Sequence, residues 1–195
     1  YPMIIASGPN ACILHYNANK RQVRAGELVL VDIGAEYSYY TADITRTYPA
    51  SGKFTPRQRE LYLAVLDAIK YAEREAKPGI TLGQLHQKVV EFFRNHKLRA
   101  KDENGNERTL DYFFVHGLSH MMGMDVHDLD PNLPLRPGMV FTIEPGLYIP
   151  SEGIGIRIED DYLMTETGVE NLSRALPREP DAVERMVRRG RPSRR

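Results

Sequence analysis

Four acidic residues lie in segments that otherwise have the pattern of buried β-strands. Asp32 lies within the apolar run 28–34, and Glu144 directly follows a second apolar run. Asp43 and Glu159 occupy the strand-like segments that come next along the chain in each case. A buried carboxylate is stable only where cations or hydrogen-bond donors compensate its charge. The chain must therefore fold so that each of these acids meets such a partner.

The strands that carry these acids are predicted to form two β-hairpins. A turn centred between residues 37 and 38 places Asp32 directly opposite Asp43. A turn centred between residues 151 and 152 places Glu144 opposite Glu159 in the same way. Side chains in such positions have Cβ atoms about 4.5–5.5 Å apart, where like charges destabilise a hairpin unless something neutralises them. The simplest such partner is a bound cation.

A position at a sheet edge, or an ion pair with Arg46 or Arg157, is the alternative explanation for any one of these acids. For four acids on two hairpins of the same design, shared metal ions are the better explanation. Four carboxylates joined by one histidine form an oxygen-rich ligand set. Such a set suits two divalent ions of intermediate hardness, such as Mn²⁺, Co²⁺, Fe²⁺ or Zn²⁺, rather than a thiolate site.

A segment rich in histidine and glycine provides the histidine candidates. His116 and His120 have the spacing of a helical zinc-binding motif, but that motif requires a glutamate directly after its first histidine. Gly117 occupies that position, and Gly123 also argues against a regular helix, so we reject this motif. His127 completes the cluster of three histidines within twelve residues of sequence.

The pattern between and after the two hairpins predicts three helices. The first begins after the cap Thr55 and ends before the helix-breaking residues 77–79. The second extends from its cap Thr81 to about Lys97, and the third covers residues 180–189. Helices combined with hairpins in this order predict an α+β fold, with helices packed on one face of a largely antiparallel sheet.

The remaining segments are predicted to connect these elements. Residues 101–108 have the composition of a surface loop, and residues 112–115 that of a short aromatic strand. A turn follows through Pro131, Pro134 and Pro137. We interpret the isolated His86 and His96 of the second helix as structural residues.

Charge and composition restrict the classes of partner. Lysine plus arginine equals aspartate plus glutamate, at 26 residues each, so no overall field attracts nucleic acid or an anionic membrane. No apolar run approaches the ~18–20 residues of a membrane span. The only cysteine, Cys12, is predicted to be a small buried residue, and its isolation fits a reducing compartment. We therefore predict a cytoplasmic protein without nucleic-acid or membrane partners.

The length of 195 residues predicts a single domain, covering residues 1–187, with a basic tail over residues 188–195. The first residues do not resemble a natural start, and a strand-like segment follows them at once. We therefore expect this domain to be truncated at its N-terminus, with further sequence upstream.

Six motifs in order along the chain resemble those of the aminopeptidase P (Xaa-Pro aminopeptidase) family. They are VDIGAEY (31–37), TADITRTYP (41–49), HGLSH (116–120), DVHD (125–128), EPGLY (144–148) and GIRIEDD (155–161). This family belongs to the pita-bread metallopeptidases, together with prolidase, methionine aminopeptidase and creatinase. The similarity extends from about Ile4 to about Val187, and it implies a pita-bread fold with a curved, largely antiparallel sheet.

The resemblance implies roles for individual residues. It places the five metal ligands at Asp32, Asp43, His120, Glu144 and Glu159. It also implies three further active-site histidines, His15, His116 and His127, and an arginine that orients the acids, Arg157. We expect Glu144 to shuttle a proton in addition to binding metal, because a carboxylate beside a metal-bound water can accept its proton.

The activity that the resemblance implies is removal of an N-terminal residue that precedes proline, with Mn²⁺ as the expected metal and Co²⁺, Zn²⁺ or Fe²⁺ as alternatives. The substrate would be a peptide with proline at its second position, and a homo-oligomer stays open. Prolidase and methionine aminopeptidase are the nearest alternatives, since they share the ligand set. A pita-bread module that has lost its metals is an alternative from another class, but here every ligand position carries a competent residue.

Overall fold

The chain alternates strand-rich parts with helices. A computed structural model describes residues 1–130 and 132–190. The strands are β1 Ile4–Ser7, β2 Leu28–Ile33, β3 Glu36–Tyr37, β4 Tyr40–Thr41, β5 Ile44–Pro49, β6 Arg99–Lys101, β7 Glu107–Thr109, β8 Val140–Ile143, β9 Gly146–Ile149, β10 Ile154–Arg157, β11 Asp160–Met164 and β12 Val169–Asn171. The α-helices are α1 Pro56–Glu75, α2 Leu82–Arg94 and α3 Pro180–Arg189, and short 3-10 helices cover Gly8–Cys12, Leu110–Phe113 and Pro150–Glu152.

Every strand pair among the described residues is antiparallel. The first predicted hairpin lies in a sheet of order β1–β2–β5, and the small pair β3–β4 forms its tip. The second hairpin runs outward as β8 and β9 and returns as β10 and β11, with β12 added beside β11. Helix α1 packs against β8, β9 and β10, and α3 packs against β5. These features confirm the predicted α+β class.

Both long helices begin where the sequence predicts, because each has a complete capping box. The Thr55 side chain accepts a hydrogen bond from the Gln58 backbone, and the Gln58 side chain accepts one from the Thr55 backbone. Thr81 and Gln84 form the same pair at the start of α2. Each box satisfies two backbone N–H groups that a helix start would otherwise leave free. Helix α2 ends about one turn before its predicted end.

The main core lies between the helices and the second hairpin. Its largest fully buried side chains are Tyr62, Tyr162, Phe93, Phe141, Leu61, Leu66, Ile69, Leu85, Leu110 and Leu118. Burial of each such side chain contributes about 1.5–3 kcal/mol. A smaller cluster contains Ile4, Ala6, Ala11, Leu30 and Tyr148. This cluster packs the first hairpin against the second and so fixes the geometry between them.

Two connecting segments differ from their predictions. Residues 101–108, predicted as a loop, form most of the β6–β7 hairpin, because the Asp102 carboxylate accepts backbone N–H groups of Asn104 and Asn106 at 3.0 and 2.9 Å. The prediction of a strand at residues 112–115 is also wrong, because the 3-10 helix Leu110–Phe113 covers the first half of this segment. Its aromatic residues pack on α2 instead of pairing with a strand, and the ring of Phe114 lies 5.4 Å from that of Phe93.

The turn of the first hairpin is centred one residue later than predicted. Ser38 and Tyr39 occupy it with φ angles of 51° and 63°, the left-handed geometry of a tight two-residue hairpin turn. Asp32 therefore lies opposite Thr45, and its predicted pairing with Asp43 is wrong. A shift of two residues returns a side chain to the same face of a sheet. Asp32 and Asp43 therefore still share one face.

The second hairpin has the predicted register. Strands β9 and β10 pair Ile149 with Ile154, and strands β8 and β11 pair Ile143 with Asp160. Both pairings agree with a turn centred between residues 151 and 152. The same register places Glu144 and Glu159 at matching positions, in the gap between the two ladders.

The remaining predictions concern the third helix, the C-terminal tail and Cys12. Helix α3 confirms the third predicted helix, and Gly190 caps it, so the helix crosses the predicted domain boundary after residue 187. Residues 191–195 of the predicted tail, and Pro131 of a predicted turn, lie outside the described residues. Cys12, predicted to be buried, is half-buried. Among the helices that the structure describes, none has the length and apolar character needed to cross a membrane.

Gly155 tests the contact between β10 and the N-terminal 3-10 helix. A Cβ atom at this position would lie 2.0 Å from Ala11 O. We expect Gly155→Ala to lower the free energy of unfolding by about 1–3 kcal/mol, because backbone must move to admit it. Gly83 of α2 is the control, since its nearest neighbour would lie 3.9 Å from a Cβ. Gly83→Ala should stabilise by about 0.5–1 kcal/mol. Urea denaturation compares the two, and equal stabilities would contradict this packing.

Candidate metal centre

The acids predicted from the sequence line one cavity of about 260 Å³. This cavity lies where the two hairpins meet. Its lining residues are Leu14, His15, Asp32, Asp43, His116, Gly117, Ser119, His120, His127, Glu144, Arg157 and Glu159. The structure therefore brings together every site residue that the sequence analysis named.

Hydrogen bonds between β5 and the segment around Glu159 join the two hairpins. Glu159 N donates to Thr45 O at 3.0 Å, and Thr45 Oγ1 donates to Glu159 Oε2 at 2.6 Å. Two residues farther along β5, Thr47 Oγ1 accepts from Arg157 N at 3.1 Å and donates to Arg157 O at 3.0 Å. All four residues are buried. This seam, defined by Thr45, Thr47, Arg157 and Glu159, places the acids of one hairpin beside those of the other.

His120 directs one ring nitrogen toward three of the acids. Its Nδ1–H group donates to Met121 O at 3.1 Å, which leaves Nε2 facing the cavity. Nε2 lies 3.4 Å from Asp43 Oδ2, 3.6 Å from Glu144 Oε1 and 3.9 Å from Glu159 Oε1. A carbonyl bound to one ring nitrogen is the usual way in which proteins orient the other nitrogen toward a metal.

Burial, together with the neighbouring charges, changes the pKa values of the four carboxyl groups. Burial raises the pKa of Glu144 to about 7, and burial together with the neighbouring acids raises the pKa of Glu159 well above its usual range. Burial also raises the pKa of Asp32, although Arg157 opposes this shift. For Asp43, burial is outweighed by hydrogen bonds that lower its pKa, including one from His120. Without further cations the site therefore holds more negative charge than its surroundings stabilise.

Arg157 supplies one positive charge to the site. It is buried, and its Nη2 donates to Asp32 Oδ2 at 2.5 Å while its Nε donates to Thr45 Oγ1 at 3.0 Å. The ion-pair explanation considered from the sequence therefore holds for Asp32. Arg46, the other arginine considered from the sequence, pairs with none of the four acids, because it pairs with Asp160 on the other face of the sheet. One arginine cannot neutralise four acids.

Among the residues that the structure describes, three groups of side chains bring their ligand atoms within 4.8 Å of one another. They are Asp32 with Asp43 and Glu159, His120 with Glu144 and Glu159, and Asp43 with His120 and His127. The first two groups share Glu159 and contain the five ligands that the resemblance implies. Their oxygen-rich composition and their excess of negative charge fit two adjacent divalent ions. The third group adds His127, for which the resemblance implies a role other than ligand.

His116 is held beside the acids as a neutral ring. Burial lowers its pKa to about 4. Its Nδ1–H group donates to Gly117 O at 2.7 Å, so Nε2 accepts a hydrogen bond from the Tyr148 hydroxyl at 2.8 Å. The same hydroxyl accepts from Arg157 Nη1 at 2.8 Å. Tyr148 therefore connects Arg157 to His116, and Nδ1 of His116 lies 3.9 Å from Glu144 Oε2.

His127 and His15 lie at the mouth of the cavity, where both side chains are exposed. The ring centre of His127 lies 4.2 Å from that of His120. His127 and His15 also line an adjoining cavity of about 330 Å³, together with Tyr1, Ile4 and Val126. An incoming ligand would therefore contact these two histidines before it reached the buried acids.

Tyr1 and Tyr148 are site residues that the sequence analysis did not identify. The Tyr1 hydroxyl oxygen lies 2.7 Å from Asp32 Oδ1 and 2.6 Å from Asp43 Oδ1, and burial raises the pKa of its phenol. The hydroxyl therefore stays protonated and donates to one of the two carboxylates. Tyr148 belongs to the EPGLY motif, which offered a signal, whereas no pattern around residue 1 indicated that contact.

Comparisons with known proteins agree with this geometry. The model of metallopeptidase family M24 matches residues 1–166, so this chain belongs to that family. Membership of a metallopeptidase family accords with a ligand set suited to divalent ions.

Two of the curated relatives that match this chain are named Xaa-Pro aminopeptidase. The chain is 42% identical to Xaa-Pro aminopeptidase of Escherichia coli over 206 residues, which covers 96% of this chain and 47% of the relative. It is 41% identical to Xaa-Pro aminopeptidase of Haemophilus influenzae, which covers 96% of this chain and 48% of that protein. The chain thus spans about half the length of these relatives.

Solved structures show the same fold. Aminopeptidase P from E. coli with the inhibitor Pro-Leu superposes with a TM-score of 0.88 at 42% identity, covering 97% of this chain and 47% of that one. The zinc-substituted E. coli enzyme in complex with product gives a TM-score of 0.88 at 40% identity, over 99% and 48% of the two chains. The fold is therefore the pita-bread fold predicted from the sequence.

The raised pKa values predict how metal removal changes stability with pH. Glu144 has a folded pKa of about 7 against 4.5 for an unperturbed glutamate, so the folded state retains a proton that the unfolded state loses. The contribution of Glu144 to the stability of the metal-free protein should therefore be fully present below pH 4.5. It should be lost as the pH rises toward 7. We expect added Mn²⁺ to raise Tm strongly at pH 8 and much less at pH 5. Thermal unfolding with and without chelator measures this, and a chelator effect that grew toward low pH would contradict it.

Proposed function

We propose that this chain carries the catalytic centre of an Xaa-Pro aminopeptidase, which hydrolyses the bond between an N-terminal residue and a following proline. The observation that carries this proposal is the meeting of five ligand-competent side chains in one cavity lined by three more histidines. The names of the curated relatives support the choice of substrate. The substrate is then a peptide with proline at its second position.

The metal-binding residues in this proposal are Asp32, Asp43, His120, Glu144 and Glu159. The ions would be two divalent cations, with Mn²⁺ preferred and Co²⁺, Zn²⁺ or Fe²⁺ as alternatives, because oxygen-rich sites with one imidazole accept all of them. When bound by these residues, such a pair of ions would lower the pKa of a water molecule and polarise the scissile carbonyl. Proton transfer and orientation of the substrate depend on side chains of the protein.

Glu144 is the residue that accepts and returns the proton. Its carboxylate faces both His120 and His116, at 3.6 and 3.9 Å from their nearest ring nitrogens. A carboxylate in this position can take a proton from the attacking water and deliver it to the leaving proline nitrogen. The proline nitrogen must be protonated to leave, because an amine is expelled far more readily than its anion.

The histidines bind and orient the peptide. His116 is neutral, and its ring is fixed by Gly117 O and Tyr148, so it forms a preorganised part of the cavity wall. His127 and His15 at the mouth of the cavity contact the substrate near the scissile bond. Arg157 holds the Asp32 carboxylate in place through their ion pair. Preorganised groups of this kind lower the cost of reaching the transition state.

Peptide length separates this function from its nearest alternative. We expect hydrolysis of Xaa-Pro-Yaa tripeptides by purified metal-loaded protein, with two divalent ions bound per chain. Activity is followed by release of the free N-terminal amino acid, and metal content by elemental analysis. Cleavage confined to Xaa-Pro dipeptides would indicate a prolidase instead, and fewer than one bound ion per folded chain would favour a binding module.

Replacement of Glu144 tests the proton-shuttle role. We expect Glu144→Gln to lower kcat by at least about 10²-fold, since an amide cannot accept the proton and general base catalysis contributes about that much. The matched control is Glu170→Gln, because Glu170 is exposed and pairs with Arg174 on the surface. Its kcat should stay unchanged. A Glu144→Gln protein with nearly normal kcat would rule out this role.

A further inference from the structure

Behind the cavity wall lies a buried arginine whose five N–H groups are all hydrogen-bonded. Arg46 is 3% exposed. It follows Thr45 in β5, so its side chain points away from the cavity. Its Nε donates to Pro177 O at 3.1 Å, and Nη2 donates to Asp160 Oδ1 at 2.5 Å and to Leu176 O at 3.2 Å. A guanidinium held by five acceptors has one orientation only.

The remaining nitrogen of Arg46 connects the two hairpins. Nη1 donates to Thr45 O at 2.9 Å and to Glu159 O at 2.6 Å. Thr45 O is also the acceptor for Glu159 N across the seam. The guanidinium therefore fixes, from behind, the backbone of the residue whose carboxylate belongs to both candidate metal groups.

The charge of Arg46 is balanced on its own side of the sheet. Asp160, which is fully buried, accepts from Arg46 and from Arg178. Arg178 also pairs with Glu73, which accepts from the Tyr162 hydroxyl. Two arginines and two acids give this network no net charge. Its influence on the cavity is therefore geometric rather than electrostatic.

We propose that Arg46 is a positioning residue for the metal centre and that it acts by holding the Glu159 backbone against Thr45. This inference rests on the proposed function only in requiring that Glu159 binds metal. Small movements of a ligand reduce metal affinity sharply, and loss of contacts that orient ligands typically weakens metal binding about 10–100-fold.

Arg178 supplies a matched control for this proposal. It shares Asp160 with Arg46, but the hydrogen bonds described for its guanidinium all go to the side chains of Glu73, Asp160 and Tyr162. Arg46→Met and Arg178→Met each remove one cation from the same network. Only the first removes the contacts to Thr45 O and Glu159 O.

The test is equilibrium binding of Mn²⁺ to the full chain, measured by competition with a chelator, with Tm recorded for each metal-free variant. We expect Arg46→Met to weaken Mn²⁺ binding about 10–100-fold. Arg178→Met should lower Tm to a similar extent but change affinity by less than about threefold. Arg46→Lys retains the charge but has only three donors, so it should lie between wild type and Arg46→Met.

A double variant keeps the test valid if Arg46→Met does not fold. Arg46→Met with Asp160→Asn removes both charges of the pair and so avoids an uncompensated buried acid. It should regain Tm yet still bind Mn²⁺ weakly. Equal affinity of Arg46→Met and Arg178→Met would overturn the inference while leaving the proposed function intact. Failure of the wild-type chain to bind Mn²⁺ would instead contradict the proposed function.

Discussion

The two hydrogen bonds between Thr45 and Glu159 are the contact on which the centre depends. Thr45 lies in β5, which directly follows Asp43 of the first acid pair, and Glu159 belongs to the second hairpin. Neither hairpin has more than two of the acids, so neither can hold two divalent ions alone. The seam forces like charges together, and it can persist because Thr45, Arg157 and Arg46 supply donors on both of its faces.

The seam also explains the division of charge across the sheet. On the cavity face, four acids meet one arginine, and the pKa of Glu144 and of Glu159 is raised. On the opposite face, Arg46 and its partners balance their charges completely. Cations are therefore attracted to one face only. His116 adds no charge there, because burial holds its pKa at about 4 and the ring stays neutral near pH 7.

Sequence patterns predicted the fold class and singled out the four acids that line the cavity, since buried acids in apolar strands and capping boxes are local signals. They did not predict the register of the first hairpin, because Ser38 and Tyr39 adopt left-handed φ angles without a glycine to indicate it. The predicted partner of Asp32 was wrong by two positions along the strand, so Asp32 and Asp43 still lie on the same face of the sheet. The contacts that Tyr1 and Arg46 make at the site could not be predicted from the sequence, because they depend on residues more than thirty positions away.

The distance along the chain between Thr45 and Glu159 has a consequence for folding. Their side-chain contact closes a separation of 114 residues. Contacts of such long range form late, after local helices and hairpins, because chain entropy opposes them. The complete ligand set then exists only in molecules that have finished folding. Metal would bind these and not their precursors, and it would draw the folding equilibrium toward the native state. Retention of the ions would therefore report that the whole chain has folded.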